Sequence, residues 1–133
     1  MRYCLTLVCG GFGTPQSTNA FFRRVGIEPD TVTGLRYRGR GCPGPTRVET
    51  AETVQEFHYI DFWGEDETTW ALPFRCKICP DGIGEAADIA VSDTWVGGSP
   101  NRIDSVDDPG VNGLIARTAA GEELVAAAAR DGA

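Results

Sequence analysis

The hydrophobic pattern opens with a short apolar and β-branched run, Tyr3 to Val8, that ends in Cys9-Gly10-Gly11-Phe12-Gly13. This reads as a strand feeding a glycine-rich turn at its carboxyl end, which is where α/β folds bind ligands. A period of two sends Cys4 and Cys9 to opposite faces. Cys9, beside the turn, is the better ligand candidate, and Cys4 reads as a small core residue. Ser17 or Thr18 then caps a helix whose apolar face is Ala20, Phe21, Phe22 and Val25, stopped by Gly26.

Ile27 to Asp30 reads as a turn, Val32 to Arg38 as a strand and Gly39 to Pro45 as an irregular loop. Thr46 to Val54 and Glu56 to Ile60 look like paired strands, followed by a short acidic and aromatic helical turn over Asp61 to Thr69. Asp88 to Val91 is strand-like with Asp93 at its end, and Val96 to Gly110 is a long polar loop. Val111 to Thr118 reads as a strand, Ala119 to Gly121 as a turn and Glu122 to Arg130 as a closing helix. Strands and helices in this order predict an α+β fold: a mixed β-sheet with flanking helices and many loops.

Charge narrows the partners. The 133 residues carry a net charge of -7, which argues against nucleic acid as the main partner. No apolar run approaches the roughly 18 residues that span a bilayer, and no export signal is recognisable, so the expectation is a cytoplasmic chain with no membrane partner. Its five cysteines, an odd number, point to cofactor chemistry more than to a disulfide framework.

The densest chemistry lies in Phe74 to Trp95, which holds the C-x-x-C pair Cys76 and Cys79, the turn Pro80-Asp81-Gly82, and an acidic segment ending at Asp93. Two thiols three positions apart can face one centre, and Arg75 and Lys77 beside them favour thiolate. By itself the pair is compatible with a metal or iron–sulfur site, a redox dithiol, a disulfide or two buried thiols. Elsewhere, Arg36, Arg38 and Arg40 alternate and can offer guanidinium groups to a phosphate or carboxylate, or form a solvated edge. His58, the only histidine, has no cysteine or aspartate at metal spacing and reads as structural or exposed. The early glycines do not spell G-x-G-x-x-G.

Taken together, LVCGG (Leu7 to Gly11), YRGRGCPG (Tyr37 to Gly44), FRCKICPD (Phe74 to Asp81), EAADIAVSD (Glu85 to Asp93) and RTAAGEEL (Arg117 to Leu124) carry a resemblance. The chain resembles the C-terminal domain of the coenzyme F420 hydrogenase/dehydrogenase beta-subunit family, which includes formate dehydrogenase beta subunits and 7-hydroxymethyl chlorophyll a reductases. The match runs over residues 3–128, and residues 1–133 are expected to form a single domain.

The resemblance implies an iron–sulfur flavoprotein oxidoreductase subunit. It would move electrons between a ferredoxin-like donor, or a hydrogenase or dehydrogenase subunit, and a small acceptor such as coenzyme F420 or a pigment. It places 4Fe-4S ligands at Cys9, Cys76 and Cys79, with Gly10 and Gly11 amides near the sulfurs, and raises Arg38 and Arg40 as cofactor contacts. Such a cluster usually takes four thiolates. Relatives supply the remaining one, and part of the FAD site, from an upstream portion that this sequence lacks, unless Cys42 or Cys4 substitutes. Cys42 stands where relatives more often carry an aromatic residue. The chain thus reads as a fragment or half of a split subunit, inactive without that portion. The alternative is a zinc-stabilised or metal-free binding module that keeps the fold without catalysis; a thiol–disulfide protein is the third reading, weakened by the turn directly after the pair.

Overall fold

The computed structural model describes residues 2–64, 66, 70–95 and 110–132. In chain order its elements are β1 (Leu5–Leu7), α1 (Pro15–Arg24), a 3₁₀ turn (Pro29–Thr31), β2 (Val32–Arg36), β3 (Thr46–Thr50), β4 (Val54–Phe57), α2 (Tyr59–Trp63), α3 (Phe74–Lys77), β5 (Ile89–Thr94), β6 (Val111–Ala116) and α4 (Ala119–Arg130). This is the expected α+β fold, with two three-stranded sheets. The chain forms two compact units: Met1–Phe12, Phe74–Thr94 and Val111–Ala133 make one, and Gly13–Pro73 with Trp95–Gly110 make the other.

The first unit is built on the mixed sheet β1-β5-β6. β5 is central, parallel to β1 and antiparallel to β6, with Leu5, Ile89 and Ala116 in register. Central position explains burial: Ile89 and Ala90 are covered, whereas Leu5 and Leu7 on β1 remain 63% and 71% exposed and Leu114 on β6 51%. Cys4, expected in a core, is exposed, because β1 lies at the sheet edge. α4 begins where Thr118 Oγ1 accepts the Gly121 amide at 3.1 Å. Ala119 to Gly121 are therefore the first turn of the helix and not a separate turn before it. Gly121 is required there, since a Cβ would run into the Asp88 carbonyl.

The second unit has the antiparallel sheet β2-β3-β4 and an aromatic core. Phe21, Phe22, Ile27, Val48 and Phe62 are buried together, with Leu35, Phe57 and Trp63 packed against them. Edge-on ring pairs fix the arrangement, Phe21 lying 5.3 Å from Phe62 and 5.5 Å from Phe57, and Tyr37 4.9 Å from Phe62. Such geometry contributes about 0.5–1.5 kcal/mol per pair beyond the area buried. The hydroxyl of Thr46, a fully covered residue, donates to the Tyr37 carbonyl at 2.8 Å, so it is satisfied.

Several local expectations shift. α1 starts three residues early: Thr14, not Ser17 or Thr18, is its cap, accepting the Ser17 amide at 3.1 Å, with Pro15 in the first turn. Thr18 is instead buried and meets the Tyr37 hydroxyl at 2.9 Å, while Ala20 is exposed. The stretch Thr46 to Ile60 divides at a turn formed by Thr50 to Thr53, and Ile60 belongs to α2, whose cap is His58. Asp93 lies within β5, and β2 ends at Arg36, so the arginine alternation does not continue along a strand. Residues 65, 67–69 and 96–109 of the expected helical turn and polar loop lie outside the described residues. Among the described residues, no helix is long and apolar enough to cross a membrane.

Candidate functional site

The C-x-x-C pair sits on and just after α3, a single helical turn closed by the Ile78 amide on the Phe74 carbonyl at 3.3 Å. Cys76 is half-buried within it and Cys79 exposed immediately beyond, where its amide reaches the Cys76 carbonyl at 3.3 Å. The helix cannot continue, because Pro80 has no amide hydrogen to donate. Asp81 then organises the return: its carboxylate accepts the amides of Glu85 and Ala86. Gly84, at φ 70°, turns the chain onto Thr6 and Ala90 so tightly that no side chain would fit.

This loop meets the end of β1. The Cys9 amide donates to the Gly82 carbonyl at 2.8 Å, directly after Val8 completes the strand pairing with Val91 at 2.8 Å. The Cys9 sulfur accepts the Gly11 amide at 3.4 Å, and Gly11 itself turns the chain away at φ 107°. One peptide bond of the glycine turn is thus already aimed at sulfur. Cys9, Cys76 and Cys79 are all free thiols and belong to the same unit. Among the described residues, no three histidine, cysteine, aspartate or glutamate side chains form a group that could hold a metal ion.

The donor set matches an iron–sulfur cluster in kind. It offers free cysteine thiols, a backbone amide on one sulfur, and cations at Arg75 and Lys77 beside two others. Their peptide segments are hydrogen-bonded, whereas the three side chains are not gathered.

Asp88 and Thr118, each within a segment quoted above, form a hydrogen-bonded node in the same unit. Asp88 takes the Thr118 hydroxyl at 2.6 Å on one carboxylate oxygen and the Cys4 amide at 2.8 Å on the other. Those two donors, the Thr118 hydroxyl foremost, hold its pKa below the usual carboxylate value. The neighbouring Arg117 donates its own amide to the Asp88 carbonyl at 2.8 Å and its guanidinium to the Ile83 carbonyl at 2.7 Å. Its residues stand in the segments EAADIAVSD and RTAAGEEL, where the threonine ahead of Ala-Ala-Gly-Glu-Glu is readable as a helix cap, but the pairing of the two segments carries no sequence signal.

The other candidates lie in the second unit. Arg38 sits over the Trp95 ring at 6.0 Å, and Arg40 occupies the left-handed region at φ 61°. Arg36 is engaged with Glu56 at 3.4 Å. Cys42 is buried, preceding Pro43 across a cis peptide bond and close to the Gly110 backbone. His58 accepts the Ile60 amide through Nδ1 at 3.2 Å, and its own amide donates to Asp61 at 3.1 Å, which gives it a capping role. The same unit has an open cleft of about 500 Å³ between α1 and α2, lined by Ser17, Arg24, Asp61 and Trp63 among others. Arg24 donates to the Asp61 carbonyl there, and the Trp63 indole N–H is buried with no acceptor among the described residues.

No curated protein matches the chain. A family description, the C terminus of the beta subunit of coenzyme F420 hydrogenase/dehydrogenase, matches residues 1–133. The chain therefore belongs to the family formed by the C-terminal domains of coenzyme F420 hydrogenase/dehydrogenase beta subunits, and its role is related to oxidoreductase chemistry.

Proposed function

We propose that this chain is an electron-transfer part of an iron–sulfur flavoprotein oxidoreductase, with Cys9, Cys76 and Cys79 as ligands of a 4Fe-4S cluster. The observation that carries the reading is the Cys9 amide on the Gly82 carbonyl at 2.8 Å, which ties the first thiol's segment to the loop that follows the other two. When bound, the cluster would supply one-electron transfer, its potential set by burial and hydrogen bonds to sulfur. The chain's own part is to present thiolates, with Arg75 and Lys77 offsetting their charge and the Gly11 amide donating to the Cys9 sulfur. Gly10 belongs to the same turn. Arg38 and Arg40 are proposed contacts for FAD, as cationic donors suited to its phosphates.

The physiological couple proposed is a ferredoxin-like donor, or another subunit of a hydrogenase or dehydrogenase, with a small acceptor such as coenzyme F420. Family membership supports a protein partner. The test is anaerobic purification followed by iron and acid-labile sulfide analysis and a spectrum near about 400 nm, where such clusters absorb. Serine at Cys76 or Cys79 should remove both iron and absorbance. Iron content unchanged by either substitution would exclude the ligand assignment.

A second reading, a zinc-stabilised or metal-free binding module, is favoured by the thiol side chains not being gathered among the described residues. Zinc without iron, or neither metal, with no flavin retained, selects it.

A further inference from the structure

Arg117 is an unusual anchor. Its guanidinium is used on a peptide carbonyl, that of Ile83, 34 positions away in sequence and 2.7 Å distant. Among the described residues no carboxylate pairs with it, and its Nε–H is buried without an acceptor. A side chain held in this way is fixed at its root as well, because the Arg117 amide donates to the Asp88 carbonyl at 2.8 Å and Asp88 is clamped to Thr118 and Cys4. The far end therefore reaches the loop from a rigid base.

What it grips is the residue next to Gly82, whose carbonyl receives the Cys9 amide. Asp81 holds the amides of Gly84, Glu85 and Ala86 within the loop, while the Arg117 guanidinium ties it to the chain beyond β6. Ile83 is 51% exposed, so packing does little to place it, and Gly84 turns away at once. We propose that Arg117 is a positioning residue for the thiol site: by holding the Ile83 carbonyl it keeps the Gly82 carbonyl on the Cys9 amide, and so keeps the segment of Cys9 beside that of Cys76 and Cys79. The inference rests on the thiol reading above for its functional meaning, and on hydrogen bonds alone for its geometry.

The full chain, metal-free and reduced, is compared with Arg117→Gln and Arg117→Lys by amide hydrogen exchange. Loss of the guanidinium should speed exchange at the Cys9 amide by about tenfold or more, because a loop released from its anchor opens locally without global unfolding. The Val8 amide, bonded to Val91 in the strand pairing, is the internal control and should change little. Lysine, a cation with one usable donor at shorter reach, should restore part of the Cys9 protection.

A Cys9 amide that exchanges in Arg117→Gln as it does in the parent overturns the proposal. So does equal acceleration at Val8, which would make Arg117 a general stabiliser. If Arg117→Gln fails to fold, Arg117→Lys decides by the same ratio of Cys9 to Val8 exchange, with a ratio equal to the parent's counting against the proposal. Iron analysis is read separately: a chain that binds no iron sinks the cluster reading and leaves the exchange comparison standing.

Discussion

Asp88 and Thr118, 30 positions apart, are joined by a hydroxyl-to-carboxylate hydrogen bond of 2.6 Å. The same carboxylate takes the Cys4 amide at 2.8 Å, and its residue accepts the Arg117 amide at 2.8 Å through its carbonyl. One residue thereby fixes where β1 begins, where β5 begins, where β6 ends and where α4 is capped.

This node predicts an acid-sensitive fold. Both donors favour the charged carboxylate, so the folded-state pKa of Asp88 lies below its unfolded value, which is about 3.9 for an ordinary aspartate. A group with a lowered folded pKa stabilises fully above the unfolded value, and that contribution fades as the pH falls through the folded one. Through Asp88, melting temperature should thus be independent of pH above about pH 5 and drop below about pH 4. Asp88→Asn should be less stable at neutral pH and show a shallower acid decline in thermal melts followed by circular dichroism.

Gly121→Ala should destabilise the chain although alanine favours helices by about 1 kcal/mol over glycine. The added Cβ meets the Asp88 carbonyl, which is backbone and cannot swing aside. A net loss of roughly 1–3 kcal/mol in denaturant unfolding is expected from such overpacking. A gain in stability would show that α4 stands further from β5 than the structure has it.

Thr14→Ala should cost about 1 kcal/mol by removing the acceptor for the Ser17 amide at the start of α1. Ser17→Ala, at the residue first expected to be the cap, should cost less. Urea melts of the two variants give the comparison directly.

Phe21→Ala should be the most damaging of these changes, at roughly 3–5 kcal/mol, because the ring is completely buried and meets three other aromatic rings. Near-ultraviolet circular dichroism should lose its aromatic signal together with stability.

Much of this architecture was legible in the residues. Short apolar and β-branched runs located the six strands seen among the described residues, and Pro80-Asp81-Gly82 marked the turn after Cys79. Three of the failures share a physical cause, a contact remote in sequence. Cys4 looked like core from its apolar neighbours, but β1 is an edge strand, and edge position is a property of the sheet. Thr18 looked like a cap until Tyr37 proved to be its partner. Ala119 to Gly121 looked like a turn because glycine commonly ends or interrupts a helix, whereas here it permits one to approach β5.

The thiol site was legible to the same depth. The spacing of Cys76 and Cys79 and the glycine turn after Cys9 were visible as motifs. The peptide link between them, and the arginine that grips its neighbour, were not, since neither Gly82 nor Ile83 carries any chemical signature.

Because the join between Cys9 and Gly82 runs from main chain to main chain, it is blind to what either side chain becomes. Exchanging the Cys9 sulfur for oxygen therefore leaves that main-chain join in place, changing only the acceptor offered to the Gly11 amide. What the Cys9 side chain does and where its segment is held are thus set by different parts of the same residue.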